Sequence, residues 1–243
     1  MKKFRLDKLK EECGVFGVSD HEDASALVAL GLHALQHRGQ EGCGISSFDG
    51  KTFHLEKRQG LVGDYFTDPV TIKKLPGRSA IGHNRYSTSG GVSLRNVQPF
   101  FADLYGSGVS LAHNGNLTNA VELRNSLVKE GAIFRTTSDT ETIVQLIAKS
   151  NRNRMTDKIV DALFQIQGAY ALVMITNKKL IGIRDPFGIR PLVIGRLKDS
   201  FILASETCAL DIVGAKFIRE VENGEIVVIE NGKLNSLKPF PAK

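Results

Sequence analysis

The 243-residue sequence predicts an α+β domain of two largely antiparallel sheets packed face to face, with helices outside. Three observations predict it. Strand-like segments come first, helical ones cluster in the middle, and strand-like ones return. The regular strand–helix alternation of a doubly wound parallel sheet is missing. The apolar fraction is 42% and the charged fraction 24%, which suits a globular chain with one substantial core.

Residues 1–12 form a polar leader with five basic groups against three acids. CGVFGVS (13–19) is a buried strand. In residues 24–37, Leu27, Leu30, Leu32 and Leu35 recur near helical spacing. Strands follow near 43–48, 52–58 and 78–86, then a Ser/Gly-rich loop (87–96) and the strand 109–115. Three helices come next. Asn119 with Glu122 has capping-box spacing, and Gly131 is a C-terminal stop. Ser138 with Glu141 opens a helix to about Lys149, and a third runs from Thr156 to Gln167 before Gly168. AYALVMIT, KKLIGIR, PLVIGR, SFILAS, KFIREV and EIVVIE are short strands, with turn signals at Asn177, Asp199 and Asn231-Gly232. The tail SLKPFPAK reads as a linker.

Composition excludes several classes. The formal charge is +6, but no basic stripe with interleaved aromatics marks a nucleic-acid surface. No run of 18 apolar residues is present to span a bilayer. The charged leader lacks the apolar core of a secretory signal. Three widely spaced cysteines, Cys13, Cys43 and Cys208, suit neither a disulfide framework nor a metal knuckle. They place the chain in a reducing cytoplasm.

Cys13 stands at the lip of its strand, where a core thiol would sit inside it. Chemistry enters through three further segments. In GHNRYSTSGG (82–91), Arg85 ends an apolar strand. It is either a surface arginine or a guanidinium fork for a carboxylate, with Thr88 and the glycines admitting substrate. In LAHNGNLTN (111–119), Asn114-Gly115 is either a hairpin turn or a pair of donors for an oxyanion. In TTSDTET (136–142), Asp139 opens a helix, serving the helix dipole or receiving an ammonium group. An Arg and an Asp reading the two ends of an α-amino acid, with a thiol and an oxyanion hole between, make a coherent site. None of the six histidines stands in a recognisable Cys–His signature. If the chain were cut before Cys13, its own α-amine, with a pKa of about 7.7–8.0, would supply the base.

CGVFGV, LQHRGQEG (35–42), GHNRYSTSG, AHNGNLTN, TSDTE and DPFGIRPL (185–192), in that order, resemble the glutaminase half of the amidophosphoribosyltransferase family. LQHRGQEG sets this branch apart from glucosamine-phosphate synthases, which more usually read LEYRGYDS there. The resemblance implies an N-terminal-nucleophile fold, a four-layer αββα sandwich. It implies a propeptide over 1–12, a glutaminase domain over 13–237, and a linker over 238–243 toward a phosphoribosyltransferase domain. Cys13 matches the nucleophile, Arg85 the residue for the α-carboxylate of L-glutamine and Asp139 that for its α-amine. Asn114 and Gly115 match the oxyanion hole, and Arg38 lies in the site wall. The implied reaction releases ammonia from glutamine for transfer to phosphoribosyl pyrophosphate, the first step of purine synthesis.

The paired-Asp and Gly-Thr-Thr phosphate-binding run of the family's second domain does not occur in these residues. The resemblance therefore implies no cofactor within this chain. Magnesium and, in some members, an iron–sulfur cluster belong to the other half, as does assembly into homo-oligomers at full length. Two rival expectations remain: a glutaminase serving another acceptor, and a catalytically silent module that binds glutamine.

Overall fold

The computed structural model describes residues 13–86, 93–104 and 106–240. Thr88 and the expected propeptide lie outside them. In chain order the elements are β1 (Gly14–Val18), α1 (Ala24–Ala34), β2 (Gly42–Phe48), β3 (Phe53–Gln59), α2 (Val62–Tyr65), α3 (Pro69–Lys73) and β4 (Ser79–Arg85). Then come β5 (Phe100–Leu104), β6 (Ser107–Leu117), α4 (Ala120–Lys129), α5 (Asp139–Lys149) and α6 (Met155–Leu163). The last third holds β7 (Gly168–Thr176), β8 (Leu180–Arg184), β9 (Val193–Leu197), β10 (Ser200–Ala204), α7 (Cys208–Ile212), β11 (Lys216–Glu220), β12 (Ile226–Glu230) and β13 (Lys233–Leu237).

Two sheets form, in the orders β11-β9-β10-β1-β4-β2-β3 and β13-β12-β8-β7-β6-β5. The pairings are antiparallel throughout the described residues. Strand alternation separates the core into layers. Val15 and Ile81 face the second sheet, whereas Phe16 and Ala80 face α1. On the other sheet Ala112 and Val173 point inward, while Leu111 and Leu172 meet α5 and α6. Helix, sheet, sheet and helix give the αββα sandwich that the resemblance implied. Gly31 seats α1 on β1, because a Cβ there would come within 2.5 Å of the Phe16 ring.

Several local expectations are corrected. The helix expected over 24–37 ends at Ala34, and Gln36–Arg38 turns as a 3-10 helix. The capping box at Asn119 is not formed. Its side chain instead accepts from Gln167 N–H (2.9 Å) and donates to the Gln165 carbonyl (2.9 Å). That clamp draws 165–167 out of helical geometry, so α6 stops at Leu163 and not at Gln167. Ser138 does cap α5, but Glu141 turns back to the N–H groups of Arg135 and Thr136 (2.8 and 2.7 Å). Gly131, with φ of +97°, ends α4 as expected, and Ala132 N–H reaches the Leu127 carbonyl at 2.9 Å. The start of the expected linker-like tail is a strand. Ser236 pairs with Val227 in the β12–β13 hairpin, and its hydroxyl donates to buried Glu225 at 2.6 Å.

Candidate active site

Antiparallel pairing of β1 with β4 sets Gly14 opposite Asn84. Cys13, one residue before β1, therefore meets the chain just past Arg85, the last residue of β4. Its Sγ lies 3.5 Å from Tyr86 N and 3.6 Å from Tyr86 O. Cys13 has φ of +62°, a conformation costly for a side-chain-bearing residue. Arg38 grips it on both sides. The Arg38 carbonyl accepts Cys13 N–H at 2.9 Å, and Arg38 Nε donates to Cys13 O at 2.7 Å.

A cleft of about 340 Å³ opens here, lined by Cys13, Arg85, Gly115 and Asp139 among others. Four segments far apart in sequence thus converge on one hollow. Arg85 is 8% exposed, and among the described residues its Nη1 has no hydrogen-bond partner. A buried donor left open in a cleft is a place for an anion.

Asn114 and Gly115 are not a hairpin turn. They lie inside β6, opposite Ala171 and Tyr170 of β7. β5 pairs with β6 only as far as Leu111, so beyond it one edge of β6 is open. His113 N–H points to that edge and donates to Gln98 Oε1 (2.7 Å). Leu117 N–H does the same toward Asp139 Oδ2 (2.9 Å). The strand period directs Gly115 N–H, midway between them, the same way. Gly115 is required at its place, where φ is +150° and a Cβ would come within 2.0 Å of the Ala169 carbonyl. Asn114 is fully buried, shares the inward face with Ala112, and has no partner for either amide atom among the described residues. It does not line the cleft wall; Gly115 does.

Asp139 opens α5, where the helix N-terminus favours a carboxylate. Upstream of it, Asn96 and Thr137 exchange two hydrogen bonds, at 2.9 and 3.1 Å. They tie the chain after residue 92 to the entrance of α5.

Two cleft histidines were not singled out from the sequence. Burial, with neighbouring His113, pushes His83 down to about 3. The His113 carbonyl lies 3.1 Å from its Nε2 and takes that proton. Burial lowers His113 too, against the opposing pull of Asp139. His83 is neutral at physiological pH, and the depression that keeps it so makes it a poor base. A histidine depressed on folding adds stability above its unfolded value of about 6.5, and that stability drains as pH falls toward 3. We expect the melting temperature to hold above pH 7 and to drop between pH 6.5 and 4. His83 contributes at most about 1.4 kcal/mol per pH unit. His83→Asn should flatten that decline in thermal melts across pH, and an unchanged slope refutes the assignment.

No group of three or more His, Cys, Asp or Glu side chains among the described residues is placed to hold a metal ion.

Residues 83–211 match the family described as the glutamine amidotransferase domain. The chain is 57% identical over 224 residues to an amidophosphoribosyltransferase of Rhizobium etli, covering 92% of this chain and 45% of that protein. It is 46% identical to the Bacillus subtilis protein of the same name, covering 94% of this chain and 48% of that one. The solved structure of the glutamine phosphoribosylpyrophosphate amidotransferase from Bacillus subtilis, complexed with ADP and GMP, superposes with a TM-score of 0.88 at 43% identity. That match covers 94% of this chain and 49% of the other. The chain thus spans about half the length of these relatives.

Proposed function

Since the chain belongs to the glutamine amidotransferase domain family, we propose that it is the glutamine-hydrolysing half of an amidophosphoribosyltransferase. It would release ammonia from L-glutamine for phosphoribosyl pyrophosphate, giving 5-phosphoribosylamine at the start of purine synthesis. The acceptor site would belong to a phosphoribosyltransferase domain, with magnesium and any iron–sulfur cluster in that half. We place the work in the cytoplasm, in a homo-oligomer at full length. The observation that carries the reading is the convergence of Cys13, Arg85, Gly115 and Asp139 on one cleft.

Cleavage between Glu12 and Cys13 turns an amide nitrogen, which cannot act as a base, into an amine that can. That amine takes the Cys13 thiol proton, and the sulfur attacks the glutamine carboxamide carbon. Gly115 N–H, on the cleft wall, holds the oxyanion, a donor worth about 3–4 kcal/mol of barrier, and the Asn114 amide, buried next to it without a partner among the described residues, is the second donor once substrate draws it to the cleft. The ammonium of Cys13 returns the proton to the departing nitrogen, and ammonia leaves. Water, deprotonated by the same amine, attacks the glutamyl thioester. The thiol is restored and glutamate departs. Arg85 receives the substrate α-carboxylate and Asp139 its α-ammonium, and Thr88 is the further substrate-binding residue that the sequence points to.

Steady-state ammonia release from glutamine tests these roles. Arg85→Lys keeps the charge but loses the fork. It should raise KM by about 10–100-fold with kcat within about threefold, and Asp139→Asn should behave alike. A fall in kcat at unchanged KM would remove both from substrate binding.

A further inference from the structure

Arg38, gripping Cys13 from both sides, is 1% exposed. Its guanidinium does not stop at Cys13. Nη1 is ion-paired with the Glu206 carboxylate. Glu206 follows β10, which continues alongside the start of β1: Ser205 N–H donates to the Val15 carbonyl at 3.0 Å, and Val15 N–H to Ser205 Oγ at 2.9 Å. Glu206 is therefore carried on the strand next to the nucleophile's own. Its other neighbours are the His37 ring, 3.2 Å away on the same 3-10 turn as Arg38, and the Cys208 thiol at 3.6 Å at the start of α7.

We propose that Glu206 is a positioning residue that acts through Arg38. It fixes the guanidinium against the Cys13 main chain and limits how much positive charge Cys13 feels. The inference rests on Cys13 being the nucleophile. A cation beside Cys13 favours loss of protons from both its thiol and its freed amine. Too little of that charge leaves the amine protonated and useless as a base. Too much leaves it too weak a base to act. Glu206 offsets part of the Arg38 charge and so sets the balance. The other charged or titratable groups lining the cleft around Cys13 are Arg85 and His83 on β4, Tyr86, His113 on β6, Asp139 on α5 and Arg124 on α4. Arg38 is set apart from them by holding both the N–H and the carbonyl of Cys13.

The test is the pH dependence of iodoacetamide alkylation at Cys13 in the full chain, read by peptide mass. The other thiols supply contrast. Burial pushes Cys43 up to about 12, and burial with Glu206 raises Cys208. Glu206→Gln should lower the Cys13 midpoint by about one pH unit, and the acidic limb of kcat/KM for glutamine should move the same way. Glu206→Asp, keeping the charge, should restore most of the wild-type midpoint. An unmoved midpoint in folded Glu206→Gln overturns the proposal. If that variant does not fold, Arg38→Met should raise the midpoint, and an unmoved one there overturns it equally. Shifts as expected in a protein that hydrolyses no glutamine would uphold this link and sink the proposed function instead.

Discussion

Replacing Cys13 by alanine should lower glutamine hydrolysis by at least about 10³-fold, because the proposed mechanism leaves no other group to form the thioester. Cys43 is buried on the far face of its sheet, against α1. Cys208 lies on the α7 side of Glu206, away from the cleft lining. Neither can substitute. The fold should survive, since Cys13 is half-buried and its main-chain bonds to Arg38 do not involve its side chain. The expected stability change is below about 1 kcal/mol. Cys43→Ala is the matching control and should leave turnover intact. The same experiment bears on processing. Active protein should have lost residues 1–12 by intact mass. Active protein still joined at Glu12–Cys13 would rule out the amine as base. Wild-type hydrolysis no faster than that of Cys13→Ala would favour the catalytically silent glutamine-binding module.

Most of the strands were legible as short apolar runs bounded by turn residues. Val15 and Phe16 go to opposite faces, but both faces are covered, so the run is apolar throughout and only the structure sorts its residues between layers. What was not legible depends on partners distant in the chain. Asn119 has the right spacing for a cap, but its amide serves residues 165–167. Glu141 has the same spacing, and its carboxylate is spent on the loop that precedes Asp139. The short helices α2, α3 and α7 escaped notice, although Asp68-Pro69 is a start signal and Asp68 does cap α3. In the site, Cys13, Arg85 and Asp139 were readable because each stands at the end or start of an element with chemistry unusual for that place, and Gly115 because it follows an Asn in an apolar run. Gln98, His83, His113 and Glu206 were not, since their roles lie in bonds that cross between elements. Arg38 stood in between. Its motif drew attention to it, but only the structure places it on both sides of Cys13.

The motif DPFGIRPL yields the second large effect, although none of its residues lines the cleft. Residues 185–192 carry the chain from β8 in one sheet to β9 in the other. Asp185 is fully buried. Its carboxylate accepts N–H groups from Phe187 (2.9 Å), Ile189 (3.0 Å), Arg190 (3.2 Å) and Tyr170 (3.3 Å). Arg184 closes the loop from outside, donating to the carbonyls of Gly188 and Arg190, each at 3.0 Å. One side chain thus satisfies amides that a crossing between sheets leaves without a ladder. Asp185→Ala strands them, at about 1–3 kcal/mol for each unmet group, less whatever water recovers. We expect a loss of about 3–5 kcal/mol in urea unfolding. Asp185→Asn, which keeps one acceptor oxygen, should lose roughly half as much. β9 pairs with β10, and β10 with β1, so loosening the crossing also loosens the strand that carries Glu206. Turnover should therefore fall more steeply with temperature in Asp185→Asn than in wild type. A loss below about 1 kcal/mol in Asp185→Ala would mean that the loop holds its shape without the carboxylate.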